Sequence, residues 1–233
     1  MKKIAERTGI HLEQHQINAF EKYFEMLVEK NKVMNLTAIT EREEVINKHF
    51  IDSLSCKEII DLNKVKTVID VGTGAGFPGI PLKIAFPHLN IVLMDSLNKR
   101  VVFLNEVIKE LGLNEIKAVH DRAEEMAKKP EYRETFDLCV SRAVANLATL
   151  SEYCLPFVKN GGHFVSYKSG KAEEEISESE KAIDVLGGKI EEIKSFFLPG
   201  TDIERVLISI VKNNKTPDKY PRKPGTATKA PIK

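Results

Sequence analysis

The residues best suited to chemistry lie together in Val68-Ile69-Asp70-Val71-Gly72-Thr73-Gly74-Ala75-Gly76-Phe77-Pro78-Gly79. An apolar run leads into a glycine turn, and the pattern beyond it fits the start of a helix. Glycine reaches positive φ at little cost and lets a ligand lie directly on the main chain. Open α/β sheets bind ligands at such a turn, at the carboxyl end of a strand. Two ligand classes compete for it. A dinucleotide pyrophosphate calls for G-x-G-x-x-G, which places the third glycine at position 77. This chain has Phe77 there, and its pattern is D-x-G-x-G-x-G. A phenyl ring crowds a pyrophosphate but suits the wall of a pocket for a ligand without phosphate. S-adenosylmethionine is such a ligand. Gly72, Gly74, Gly76 and Phe77 are therefore candidate contacts for it. The competing reading is a nucleotide-dependent oxidoreductase of Rossmann type.

Three further places offer chemistry on the same sheet edge. Asp95 ends the second apolar run, where a carboxylate accepts both hydrogen bonds of a ribose diol. It supports a nucleoside without choosing between the two cofactors, and it also suits a helix cap. Asp121-Arg122-Ala123-Glu124 follows the third run, beside the expected adenine; a solvated loop is the alternative. Arg142, in Ser141-Arg142-Ala143-Val144, has a fork that fits a cofactor carboxylate, a substrate phosphate or a structural ion pair.

These residues need elements to hold them. Residues 1–60 read as a helical extension. Phe20, Tyr23, Phe24, Leu27 and Val28 mark one buried helical face. Thr40-Glu41-Arg42-Glu43 has the form of a capping box, with Thr40 as the cap of a helix whose Ile46, Phe50 and Leu54 share a face. From residue 65 strands alternate with helices: Val65–Val71, Asn90–Met94, Glu115–Val119, Phe136–Val140 and His163–Tyr167 are the strands. Helical stripes include Leu104, Val107, Ile108 and Leu111 before Gly112, and Ile176, Ile183 and Leu186 before Gly187-Gly188. Lys189–Phe197 and Arg205–Val211 are close enough to pair antiparallel. The expected fold is a doubly wound α/β, seven-stranded, mostly parallel sheet. Residues 61–212 form this core. Residues 213–233 form a basic, proline-rich tail in which Pro217, Pro221, Pro224, Gly225 and Pro231 exclude a helix.

Composition narrows the classes. The 233 residues, 42% hydrophobic and 30% charged, suit a soluble globular chain with a sizeable core. No apolar run reaches the roughly 20 residues of a membrane span. The opening Met1–Glu6 has no apolar core, so no signal peptide and a cytoplasmic location are expected. Cys56, Cys139 and Cys154 are scattered, without metal spacing, and read as reduced buried thiols; no metal site is expected. From Lys212 to Lys233 seven basic residues face the single acid Asp218, while the rest of the chain is mildly acidic. Such a tail suits a polyanion. Lys219, Arg222, Lys223 and Lys229 are the candidate phosphate contacts, with Lys83, Lys99 and Arg100 adding to a basic rim. Loss of the tail is expected to weaken RNA binding and leave cofactor affinity intact.

Taken together, the motifs resemble the glucose-inhibited division protein B family across nearly the whole chain. The resemblance rests on Asn35–Ile39, His49–Leu54, Gly72–Gly79, Asp95–Arg100, Asp121–Glu124, Ser141–Ala143 and Tyr220–Thr226. The glycine motif alone points to a class I S-adenosylmethionine-dependent methyltransferase; His49–Leu54 and Tyr220–Thr226 are far more specific. The resemblance implies guanine-N7 methylation of small-subunit (16S) ribosomal RNA, free or in a ribosomal particle, with no obligate protein partner evident. It implies that Gly72, Phe77, Ala123, Glu124 and Arg142 contact S-adenosylmethionine and that Asp95 holds its ribose. One departure stands out: the family often has Trp-Asn where this chain has Lys30-Asn31, and this chain has no tryptophan. Guanine N7 carries a free lone pair, so no catalytic base is expected; alignment and desolvation would do the work. The D/N-P-P-Y/F motif of amine methylation and the Pro-Cys nucleophile of pyrimidine methylation are both absent. A non-catalytic RNA-binding assembly module is a further alternative, against which the intact glycine turn argues.

Overall fold

Alternation decides which side of the sheet each strand residue faces. In β1 (Thr67–Val71) Val68 packs into one apolar cluster and Ile69 and Val71 into another. In β2 (Asn90–Asp95) Ile91 and Leu93 face the first cluster, Val92 and Met94 the second. Strands buried on both faces read as near-continuous apolar runs, as these do. The computed structural model describes all residues except Ala143, Lys171 and Lys233.

β3 (Ile116–His120), β4 (Phe136–Arg142) and β5 (Val158–Lys168) complete the parallel part. β6 (Gly188–Phe197) and β7 (Glu204–Lys212) pair antiparallel, and β7 lies antiparallel to β5. The order across the seven strands is β3-β2-β1-β4-β5-β7-β6. The sheet has the expected count and mostly parallel character. The order reverses between β1 and β4, so the carboxyl ends of β1, β2, β3 and β4 open onto one edge, where doubly wound sheets bind ligands.

The first cluster is closed by helices from the N-terminal region: α1 (Lys3–Thr8), α2 (Gln14–Met34), α3 (Arg42–Val45) and α4 (Asp52–Leu54). α5 (Gly79–Ala85) and α6 (Asn98–Glu110) lie on that side too. α7 (Ala123–Met126), α8 (Leu147–Cys154) and α9 (Glu173–Val185) cover the other face. Phe20, Tyr23 and Leu27 of α2 are buried as their spacing predicts. All three cysteines are buried free thiols.

Four expectations need correction. Thr40 does not cap its helix: Glu41 stands at the N-cap, without a side-chain bond. The helix carrying Ile46, Phe50 and Leu54 is not uniformly α, because Ile46–Ile51 winds as a π-helix between α3 and α4. Lys83 does not join a basic rim; it is buried, and its Nζ donates to the Pro87 and Leu89 carbonyls at 2.7 and 2.5 Å. The proline-rich tail does contain a helix, α10 (Thr226–Lys229), short enough to fit between Pro224 and Pro231. Two expected residues, Ala143 of the Ser141–Ala143 motif and Lys233 of the basic tail, lie outside the described residues.

Candidate active site

The glycine turn is held from three sides. Asp70 Oδ2 accepts from the Thr73 hydroxyl at 2.6 Å and from the Gly79 N–H at 2.8 Å. Asp95 Oδ2 accepts from the Gly74 N–H at 2.9 Å, and its Oδ1 from the Leu97 N–H at 2.9 Å. From α2, the buried Tyr23 hydroxyl donates to the Ala75 carbonyl at 2.6 Å. Two of the turn's glycines do different work. At Gly74, φ is 63° and a Cβ would meet nothing within 4 Å, so the chain is bare toward the cavity. At Gly76 a Cβ would lie 2.5 Å from Ile80 and 2.7 Å from the Tyr23 hydroxyl; that glycine admits packing from α2 and α5.

A cavity of about 540 Å³ opens beside this turn. Gly72, Gly74, Phe77 and Arg142 line it, as do Thr37, His49 and Asp52 from the N-terminal region and Lys168, Glu175 and Arg205 from the far side. Gly76, Asp95, Ala123 and Glu124 do not line it. Asp95 stands behind Gly74, and Glu124 turns toward the C-terminal segment, where its Oε1 accepts from the Gly225 N–H at 3.0 Å. Of the four candidate phosphate contacts, Lys219, Lys223 and Lys229 are exposed. Arg222 is tied to the buried Glu152, with Nε on Oε1 at 2.9 Å and Nη2 on Oε2 at 2.6 Å.

The N-terminal side of the cavity is an aromatic and ionic wall. The His49 ring stacks on Phe77 at 4.4 Å between centroids, and the Arg142 guanidinium lies 5.3 Å from the Phe77 ring centre. His49 sits in the π-helical stretch, and such irregular turns recur at functional sites because they re-aim a side chain. Its Nε2 lies 2.9 Å from the Thr37 hydroxyl. Asn31 holds that loop, bonding both the Thr37 N–H and its carbonyl at 2.9 Å, while Lys30 pairs with Glu106. The departure at Lys30 thus falls on the surface, and the Asn31 that shapes the loop is present. Asp52, 2% exposed, joins two strands: it accepts from Arg142 at 2.8 Å and from Arg205 at 3.0 Å.

Burial pushes the His49 imidazole down to about 3, with the Arg142 charge adding to it. Burial pushes Asp70 up to about 7, against its hydrogen bonds from Thr73 and Gly79. Asp70 Oδ1 is buried without a partner. Both carboxylates lining the cavity are committed, Asp52 to two arginines and Glu175 to Lys168 at 2.5 Å and to the Leu147 N–H. What remains is a cavity rich in cations with an aromatic wall and a bare stretch of main chain.

The family model for GidB, described as rRNA small subunit methyltransferase G, matches residues 16–204. The chain belongs to this family. A GidB relative from Lachnoclostridium phytofermentans, named ribosomal RNA small subunit methyltransferase G, is 58% identical over 96% of this chain and 93% of its own. One of the same name from Alkaliphilus metalliredigens is 54% identical over 100% of this chain and 98% of its own. Among solved structures, a predicted O-methyltransferase from Agrobacterium tumefaciens superimposes with a TM-score of 0.54 at 16% identity, covering 71% of this chain and 80% of that one. TYW2 of M. jannaschii, solved in complex with AdoMet, gives 0.51 at 16% identity over 64% of this chain and 70% of that one. At those identities the likeness is one of fold, the class I methyltransferase fold. The GidB signature motifs that carried no assigned role, Asn35–Ile39 and His49–Leu54, are the ones that build the aromatic and ionic wall. No periodicity flags them; the signal available was polar residues inside an otherwise apolar helical face.

Proposed function

We propose that the protein transfers a methyl group from S-adenosylmethionine to N7 of a guanine in small-subunit ribosomal RNA, in the cytoplasm, with the free RNA or a ribosomal particle as acceptor. Membership of the GidB family carries this reading, and the relatives' shared name gives the class of acceptor. No helix among the described residues is long and apolar enough to cross a membrane.

The residues present fit the donor. Gly74 leaves room for the donor against the main chain, and the Asp70 carboxyl, buried under the turn and outside the cavity lining, with one oxygen unpartnered, favours a positively charged ligand over an anionic one. Phe77 in the third-glycine position, with Asp70 beneath the turn, disfavours a diphosphate and so the oxidoreductase reading; Asp95 suits the ribose of either cofactor. On this reading Gly72, Gly74, Phe77 and Arg142 hold the amino-acid half. Asp95, through its place behind Gly74, together with Ala123 and Glu124, holds the adenosine half, and Gly76 keeps the turn seated on α2. When bound, S-adenosylmethionine supplies an electrophilic methyl carbon. Residues 1–60 form the acceptor side and residues 61–212 the donor side.

The chain then has to present a flat base and keep water out. His49 and Phe77 offer a stacked aromatic surface next to Arg142. His49 stays neutral, and the two acids of the lining are ion-paired, so among the described residues no free base stands at the acceptor. N7 needs none, because its lone pair is available without deprotonation; positioning and desolvation carry the rate. Target bases in A-form RNA have N7 in a deep, narrow groove, so an exposed or opened loop is the expected substrate. Lys48 and Arg100 at the cavity, with Lys219, Lys223 and Lys229 on the C-terminal segment, supply phosphate contacts. The test is incubation with labelled S-adenosylmethionine and unmodified small-subunit particles or their naked RNA, followed by mapping of the label. Label at N7 of one guanine is expected; absence of label from RNA in every assembly state would refute the reading.

A further inference from the structure

The basic segment after β7 is folded onto the protein. Arg133 clamps its main chain, with Nη2 donating to the Thr216 carbonyl at 2.8 Å and Nη1 to the Tyr220 carbonyl at 3.0 Å. Arg222 grips Glu152, a carboxylate of α8 that is 1% exposed, through both its side chain and its own N–H. Ala227 is buried, and its carbonyl accepts from the Thr149 hydroxyl at 3.1 Å. Between Arg222 and Ala227 the segment meets α7, where the Gly225 N–H donates to Glu124 Oε1 at 3.0 Å. α7 is a single turn, too short to hold its own conformation without outside contacts. The Glu124 side chain is buried and faces this segment, not the cavity.

We propose that residues 216–229 are a brace for the donor site: by holding the Glu124 side chain they fix the main chain of Ala123 and Glu124 against the adenosine half of the methyl donor. This rests on the donor site assigned above. Glu124 is then a positioning residue, acting through its bond to Gly225 and not through contact of its carboxylate with the ligand. The brace faces inward through Arg222, Gly225 and Ala227, while Lys219, Lys223 and Lys229 face solvent on the same segment. Loss of the segment therefore affects the donor directly, contrary to the expectation from charge alone that only RNA binding would suffer.

Calorimetry with S-adenosylhomocysteine and with 5′-methylthioadenosine, which lacks the amino-acid half, tests this on the full chain, a chain ending at Lys215, and the variants Glu124→Ala and Glu124→Gln. Truncation and Glu124→Ala should each weaken both ligands by about tenfold, a step typical of coupling between a remote contact and a site, with one ligand still bound per chain. Glu124→Gln should recover most of the loss, since its amide oxygen still accepts the Gly225 N–H. Glu124→Ala in the truncated chain should add no further loss, because both changes remove one interaction. Wild-type affinity in Glu124→Ala, in the full chain, would overturn the proposal whether or not the truncated chain folds. So would an additive loss in the double variant, which would mean that the carboxylate touches the ligand itself. No affinity in the unaltered protein would instead remove the donor site on which the proposal rests.

Discussion

At the scale of single residues, two buried groups make the site sensitive to pH. Asp70 titrates near 7 in the absence of ligand because burial disfavours its charge, and one of its oxygens has no partner. Asp70 lies under the glycine turn and outside the cavity lining, so a cationic donor bound over the turn would act on it through the main chain; lowering that pKa should release part of a proton on binding at pH 7. Binding enthalpies measured in buffers of different ionisation heat should therefore diverge, and Asp70→Asn should bring them together; identical enthalpies in the unaltered protein would rule this out. His49 has the opposite effect on stability. Its folded pKa of about 3 lies below the roughly 6.5 of an unfolded imidazole. The stability gained by keeping it neutral is complete above 6.5 and is lost as pH falls toward 3. For Asp70, raised from the usual carboxylate range to about 7, the contribution is complete below that range and is lost as pH rises through 7. The urea midpoint of His49→Gln should accordingly fall less between pH 7 and pH 5 than that of the unaltered protein; equal falls would show that His49 does not carry the effect. Asp70, Gly74 and Phe77 were legible as chemistry because they share one short stretch. His49, Asp52 and Arg205 were not, since their meeting depends on a tertiary contact between an N-terminal helix and the seventh strand.

At the scale of elements, α2 does more than cover the sheet. Its Tyr23 reaches the glycine turn, and its Gln16 donates to the Ile84 carbonyl at 2.6 Å, so one helix grips the C-terminal end of α5 and the loop before it. Tyr23→Phe would leave the Ala75 carbonyl unpaired in an apolar setting, at a cost of about 1–3 kcal/mol. Urea unfolding should register that loss, and donor affinity should drop with it; a variant as stable as the parent would show that the bond contributes nothing. Apolar spacing revealed α2, α6 and α9 well because each buries one face. It failed where local chemistry was overruled by packing. The Thr40 cap was displaced by one residue, the stretch from Ile46 to Ile51 widened into a π-helix, and the prolines of the tail bracketed a helix in place of forbidding one. Lys83 misled for a related reason: a charge in sequence says nothing about a carbonyl cage formed by the turn that follows it.

At the scale of the molecule, the proposed donor and acceptor sides come from different parts of the chain, and the C-terminal segment, with its outward cations, packs against α7 and α8. Replacing Lys219, Lys223 and Lys229 together by alanine should flatten the dependence of RNA affinity on salt, reducing the log–log slope by about 2 for three phosphate contacts to single-stranded RNA. Donor affinity should hold, because none of the three takes part in the brace. An unchanged slope would place the RNA elsewhere. The alternation of strands and helices made the layered sheet readable from the start, but not the position of β7. That strand is inserted between β5 and its own predecessor, β6. During synthesis β6 emerges with no neighbour to join, and the flank of β5 stays open until β7 is made. Neither can take its place until β7 is complete, so any chain stalled between Gly188 and Glu204 carries an unpaired sheet margin that invites association with other chains.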